Sequence, residues 1–254
     1  DLNHISVRND DGVAYLEAMS PVDCIFLDPA RRNEHGGKTV AISDCEPNVA
    51  ELEGLLLSKA NRIMIKLSPM LDLSQALKEL PHTQEVHIIS VNNECKELLL
   101  LLGQTAPEEI PVHCVNLSTK GEQEKQLFVF TREQEQHSEC SYTDTLGNYL
   151  YEPNASLLKA GAFRSIASSF HLSKLHANSH LYTSNERIEK FPGRIFRITG
   201  YSSLNKKELK KIEQPASIMV KPDSVPPAKD INKKIFIPNP TKATWLAVVF
   251  PGGG

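Results

Sequence analysis

The stretch "DCIFLDPARR" (residues 23–32) ends an apolar run in a carboxylate, an imino acid and two guanidinium groups. A core strand tolerates none of these, and a turn alone needs fewer. In an open α/β sheet, ligands sit beyond the carboxyl ends of the strands, and Asp28-Pro29-Ala30-Arg31 occupies such a position. It opens a connection from Pro29 to Asn48 that carries Arg31, Arg32, Glu34, His35, Lys38, Asp44 and Glu46, with Gly36 and Gly37 as a hinge. Connections of that length in a compact domain usually serve a function or lack order. The plainer reading of Asp-Pro is turn chemistry. A second candidate is "NDDG" (9–12): Asp11 can accept a hydrogen bond from an adenine amino group, and Gly12 lets a ligand approach the backbone. Equally, Asp11 suits the N-cap of a helix starting near Val13. Lys66, in "KLSP" (66–69), either contacts substrate phosphate or simply emerges at a strand end.

Positioning these groups requires strands that end side by side. Apolar runs predict strands at His4–Val7, Cys24–Leu27, Ile63–Leu67 and Val86–Val91. Helical patterns follow at Val13–Met19, Val49–Ala60, Leu73–Leu80 and Glu94–Leu102. Val49, Leu52, Leu55 and Leu56 recur near a 3.6-residue period. Alternating strands and helices imply βαβ units and a mostly parallel sheet. Val112–Leu117 and Gln126–Thr131, joined by polar residues 118–125, read as a closing antiparallel hairpin. Residues 1–145 are thus one domain, 146–184 a helical connector and 185–254 a small α+β module. That module is expected to hold strands at Arg194–Thr199, Ser217–Val220 and Thr244–Phe250 and a helix at Lys206–Ile212.

Hydrophobic residues make up 40% of the 254-residue chain and charged residues 23%, ordinary for a globular protein. The longest apolar run, Leu98 to Leu102, is too short to cross a bilayer. No basic-then-apolar leader opens the sequence. Five scattered cysteines without a CxxC pair suggest neither zinc knuckle nor disulfide framework, so a cytoplasmic setting is expected. The net charge of −3 hides an asymmetry: Asn185–Gly254 carries 13 basic against 6 acidic side chains. Such a module suits an acidic partner, nucleic acid first, although a solvated lysine-rich helix has the same composition.

The segments "NDDGVAYL", "CIFLDPARR", "RIMIKLSPM" and "YLYEPNASLLKAGAFR" together resemble bacterial class I S-adenosylmethionine-dependent methyltransferases with a C-terminal THUMP-like domain. "DPARR" followed by "DCEPNV" is the most specific part. The resemblance implies a Rossmann-like sheet followed by an α+β THUMP-like domain, a type associated with RNA. It implies that Asp11 and Gly12 match the adenine-binding turn of the cofactor S-adenosylmethionine. It implies too that Asp28, Pro29, Ala30 and Arg31 form the catalytic, substrate-side motif. The family's glycine-rich turn and acidic strand end are missing, since only ten residues precede Asp11. The usual strand order, 3-2-1-4-5-7-6, places the two absent strands between His4–Val7 and Cys24–Leu27, leaving Cys24–Leu27 with an unpaired edge. The chain, which starts without methionine, is therefore expected to be a fragment carrying the substrate-side half and inactive alone.

Under this resemblance Asp28 accepts a hydrogen bond from the methyl acceptor, Pro29 and Ala30 shape a slot, and Arg31 and Arg32 hold phosphate or orient the base. Related enzymes that alkylate a pyrimidine carbon place a cysteine just after the next strand. Leu67-Ser68-Pro69 offers none, and Cys24 is expected to be buried in its strand, so transfer to nitrogen or oxygen is favoured. Lys207 and Lys211 at i, i+4, with Lys206, Lys210 and Lys221, are expected to track RNA phosphates. His171, His176 and His180 tempt a metal reading, but no HExxH glutamate accompanies them and no metal is expected. The alternative is a non-catalytic RNA-binding or scaffold protein with a degenerate methyltransferase fold.

Overall fold

Apolar side chains at every second position of five successive segments build the first core. The computed structural model describes residues 4–31, 41–119, 125–202, 216–220 and 245–249. They fall into two units: residues 1–133 with 155–160, and residues 134–154 with 161–254.

The first unit opens with α1 (Gly12–Ala18), capped by Asp11, and β1 (Val22–Leu27). The short β2 (Ala30–Arg31) and β3 (Cys45–Glu46) pair with each other. Next come α2 (Val49–Lys59) and β4 (Ala60–Leu67), then α3 (Leu73–Glu79) and β5 (Thr83–Val91). β6 (Glu94–Leu102), β7 (Pro111–Leu117) and β8 (Lys125–Thr131) complete a six-stranded sheet of order β1-β4-β6-β5-β7-β8. β1/β4 and β5/β7 are parallel; β4/β6, β5/β6 and β7/β8 are antiparallel. Asn48 caps α2 through the Ala50 N–H, and Asp72 caps α3 through the Gln75 N–H.

Register aligns the buried residues in rows. Ile65 faces Leu100, Leu100 faces Val86, Val86 faces Val112, and Val112 faces Phe130. All five are at most 3% exposed, and each such side chain contributes about 1.5–3 kcal/mol by leaving water. A second row runs along the other face, from Lys66 through Leu99, His87 and His113 to Val129. That face stays partly open among the described residues, with Phe26 57% and Val129 43% exposed.

Four expectations change here. The first sheet is not mostly parallel: three of its five strand pairs are antiparallel, because β6 reverses after β5 and inserts between β4 and β5 and β8 reverses against β7. Glu94–Leu102 is a strand, not a helix. Asn92 and Asn93 adopt φ of 51° and 64° and turn the chain between the paired Val91 and Glu94. Two left-handed residues are what a tight hairpin turn with the right twist requires, and asparagine tolerates that region. The five leucines then slot between β4 and β5. His4–Val7 is not a strand: Ile5 and Val7 are 64% and 90% exposed, with no described strand beside them. Cys24 is exposed, because β1 is an edge strand.

The second unit shares α4 (Arg132–His137) with the first at its boundary, followed by β9 (Ser141–Tyr142) and β10 (Tyr149–Pro153). α5 (Ala155–Ala160) returns to the first unit, where the Ala155 N–H donates to Asn93 Oδ1 at 2.8 Å. Then come α6 (Arg164–Ser169), β11 (Ser173–Lys174), β12 (Tyr182–Ser184), β13 (Gly193–Ser202), β14 (Ala216–Val220) and β15 (Trp245–Val249). These strands form one sheet of order β14-β15-β13-β10-β12-β11-β9. Residues 146–184, read as a helical connector, therefore supply three strands of the sheet that also contains β13 to β15. Tyr151 and Phe191 meet edge to face at 5.1 Å in its interior. The start of α6 is held by Glu135, which accepts from the N–H groups of Phe163, Arg164 and Ser165 and from the Ser165 hydroxyl. The expected helix at Lys206–Ile212 lies outside the described residues.

Candidate functional site

Parallel pairing of β1 with β4 sets Leu27 against Ile65, so Asp28, just past the end of β1, stands beside Lys66, the last residue but one of β4. Their side chains meet: Lys66 Nζ lies 2.6 Å from Asp28 Oδ2 and 3.9 Å from a Glu97 carboxylate oxygen. Because β6 runs antiparallel to β4, its beginning reaches the same edge and brings Lys96 and Glu97 there. Asp28, Pro29, Cys45, Lys66, Leu67, Ser68, Pro69, Lys96 and Glu97 line a cleft of about 210 Å³. The carboxylate of Asp28 is 52% exposed. The hydrogen bond to Asp28 raises the Lys66 pKa; partial burial works against this, and the charges of Glu97 and Asp28 reinforce it. Lys66 is thus an ammonium at neutral pH, suited to fixing a carboxylate or an anionic ligand and unsuited to accepting a proton.

The two halves of the "DPARR…DCEPNV" pattern meet as well. Ala30 pairs with Glu46, and Arg31 with Cys45, so the β2–β3 ladder ties the segment after Asp28 to the wall of the cleft. Cys45 is 2% exposed and forms part of that wall. Arg32 lies outside the described residues, as do Lys207, Lys211 and Lys221.

Asp11 caps α1: its Oδ1 accepts from the N–H groups of Val13 at 2.9 Å and Ala14 at 2.8 Å. Gly12 stands beside open space, since a Cβ there would meet nothing within 4 Å among the described residues. Neither residue lines the Asp28 cleft. His171, His176 and His180 are not on one helix; β11 and turns occupy their segment. His176 Nδ1 accepts from the Asn178 N–H, and His180 stacks on Phe163 at 4.0 Å. Cys45, Lys96 and Glu97 escaped the sequence reading. The two β6 residues were hidden by assigning 94–102 to a helix, and an asparagine pair before an apolar run was the signal that could have found them.

Comparisons with known proteins add two findings. Residues 149–192 match a family described as a ferredoxin-like domain, a stretch that begins with β10 and ends before β13. The chain is also similar to the crystal structure of a putative methyltransferase from Porphyromonas gingivalis W83, with 38% sequence identity and a TM-score of 0.72. The similarity covers 84% of this chain and 53% of that one, so the chain spans about half the length of this relative. No curated protein matches significantly. Among the described residues, no helix is long and apolar enough to cross a membrane.

Proposed function

We propose that this chain is the acceptor-side part of an S-adenosylmethionine-dependent methyltransferase that acts on RNA. The observation that carries the reading is the Asp28–Lys66 pair at the adjacent ends of parallel β1 and β4, opening on a polar cleft. The order β1-β4-β6-β5, with β6 antiparallel between β4 and β5, supports it by following the 4-5-7-6 half of the class I methyltransferase sheet. The similarity to a protein described as a putative methyltransferase supports it further.

S-adenosylmethionine supplies an electrophilic methyl group when bound. The residues present suit its adenine end: among the described residues both cap bonds of Asp11 fall on Oδ1, leaving Oδ2 to an amino group, and nothing stands within 4 Å of a Cβ at Gly12. Asp28 acts at the other side. Lys66 holds one of its oxygens, while the second accepts a hydrogen bond from the acceptor nitrogen or oxygen and orients that atom for in-line attack. Ser68, Pro69 and Pro29 narrow the opening around the acceptor. The basic excess of residues 185–254 suits an RNA backbone, and a cysteine attack on a pyrimidine carbon is disfavoured because Cys45 in the cleft wall is buried and the exposed Cys24 does not line the cleft.

The test is Asp28→Ala in the complete protein, with methyl transfer to RNA and S-adenosylhomocysteine binding measured side by side. Transfer should vanish while binding stays within a few-fold. Retained transfer removes Asp28 from the mechanism. RNA binding with no transfer by the unaltered protein establishes the non-catalytic scaffold instead.

A further inference from the structure

Glu85 and His87 stand two residues apart on β5, so the pleat directs both side chains to one face. Across the parallel β5–β7 ladder His87 is paired with His113, which brings a second imidazole to the same place. The rings stack 4.4 Å apart and 10° from parallel. Glu85 Oε2 lies 3.2 Å from His87 Nε2 and 4.0 Å from His113 Nε2. One donor atom from each of the three residues lies within 4.8 Å of the others.

Two imidazoles and a carboxylate are ordinary ligands of zinc-class ions, whose bonds of about 2.0–2.1 Å set tetrahedral donors roughly 3.3 Å apart. The two separations from Glu85 already lie within about 0.7 Å of that spacing, and the 4.8 Å limit of the cluster exceeds it by about 1.5 Å. Adjacent strands hold the three Cα positions; because an imidazole nitrogen binds in its ring plane, side-chain rotation must also turn the two rings out of their 10° stack. Each side chain is part-exposed, at 45% for Glu85 and 27% for each histidine, leaving a path for an ion and for water. Leu99 and Val129 flank the imidazole pair along its row and limit competing polar contacts.

We propose that Glu85, His87 and His113 form a binding site for a divalent transition-metal ion of the zinc class, with water completing the coordination. The ion clamps β5 to β7, two parallel strands that no hairpin joins. It is held on the open face of the sheet, in the same row as Lys66 but with the Leu99 position between them.

The experiment is calorimetric titration of the chelator-treated chain with Zn²⁺ at pH 7.5, paired with thermal unfolding and the visible spectrum of the Co²⁺ form. One equivalent should bind, the unfolding midpoint should rise, and the Co²⁺ spectrum should lack thiolate charge transfer. His113→Gln should weaken binding at least about 100-fold, since even the outer hydrogen-bond partners of metal ligands are worth about 10–100-fold. Glu85→Gln, at the most exposed of the three positions, should lower affinity without moving the metal-free unfolding midpoint, which separates a lost ligand from a damaged fold. Unchanged affinity in a His87→Gln, His113→Gln double variant, a thiolate spectrum, or the absence of saturable binding would each overturn the assignment.

Discussion

Replacing Leu100 with alanine tests whether residues 94–102 form a central strand. Leu98, Leu100 and Leu102 are 0%, 0% and 1% exposed, whereas Leu99 and Leu101 are part-exposed on the opposite face. Truncating leucine to alanine removes roughly three methyl or methylene groups, about 2.4 kcal/mol of transfer free energy at about 0.8 each. The cavity left between β4 and β5 raises this toward about 5 kcal/mol. The same change at Leu99 or Leu101 forfeits roughly half the transfer term, about 1 kcal/mol, and opens no enclosed cavity. Urea-dependent hydrogen exchange of the β5 and β6 amides reads the opening of the first unit without interference from the second. The five costs should alternate, high at 98, 100 and 102 and low between. A helix would place 98 and 102 on one side and 100 on the other. A large cost at 98 and 102 with one under about 0.5 kcal/mol at 100 would therefore refute the strand assignment.

Valine at Asn92 or Asn93 should destabilise the first unit by about 1–2 kcal/mol, because a β-branched residue resists φ of 51° or 64°; chemical denaturation checks this, and an unchanged midpoint would contradict the turn. Acid should also weaken the fold. Burial, then the charge of His87, lowers the His113 pKa, with Glu85 opposing them; burial, then Lys174, lowers that of His180. The unfolded chain consequently binds more protons at these sites, so their contribution is full above the ordinary histidine value of 6.5 and is lost as pH falls below it. Melting curves of the chelator-treated chain from pH 7.5 to 5 should fall, and His113→Gln should flatten the decline; a level profile would remove these histidines as the cause.

Long segments with clear periods were readable from the residues alone. α2 announced itself through Val49, Leu52, Leu55 and Leu56 at helical spacing, and the β7–β8 pair through two apolar runs about a polar link. Asp28 and Lys66 could each be placed at a strand end, but their contact depends on the parallel register of β1 with β4, which sequence spacing does not carry. β6 was misread because glutamate, lysine and leucine favour helices in isolation, and burial between two strands overrode that preference. Strands of two or three residues, such as β9, β11 and β12, are too short to show any period. The Glu85–His87 spacing was visible, but His113 joins it only through a ladder between segments more than twenty residues apart.

The path of the chain between the two units bears on how the protein emerges from the ribosome. The first unit is left at Glu133 and revisited only for residues 155–160, where Ser156 and Leu157 become almost wholly enclosed. Until that piece is delivered, Asn93 waits for the backbone of Ala155, and the groove that receives Leu157 stands wet. β9 and β10 have already been synthesised by then, yet β13 is still to come. Closure of the leading unit is thus timed to the middle of translation of the trailing one, and a gene divided after residue 133 would separate the first sheet from its own final helix.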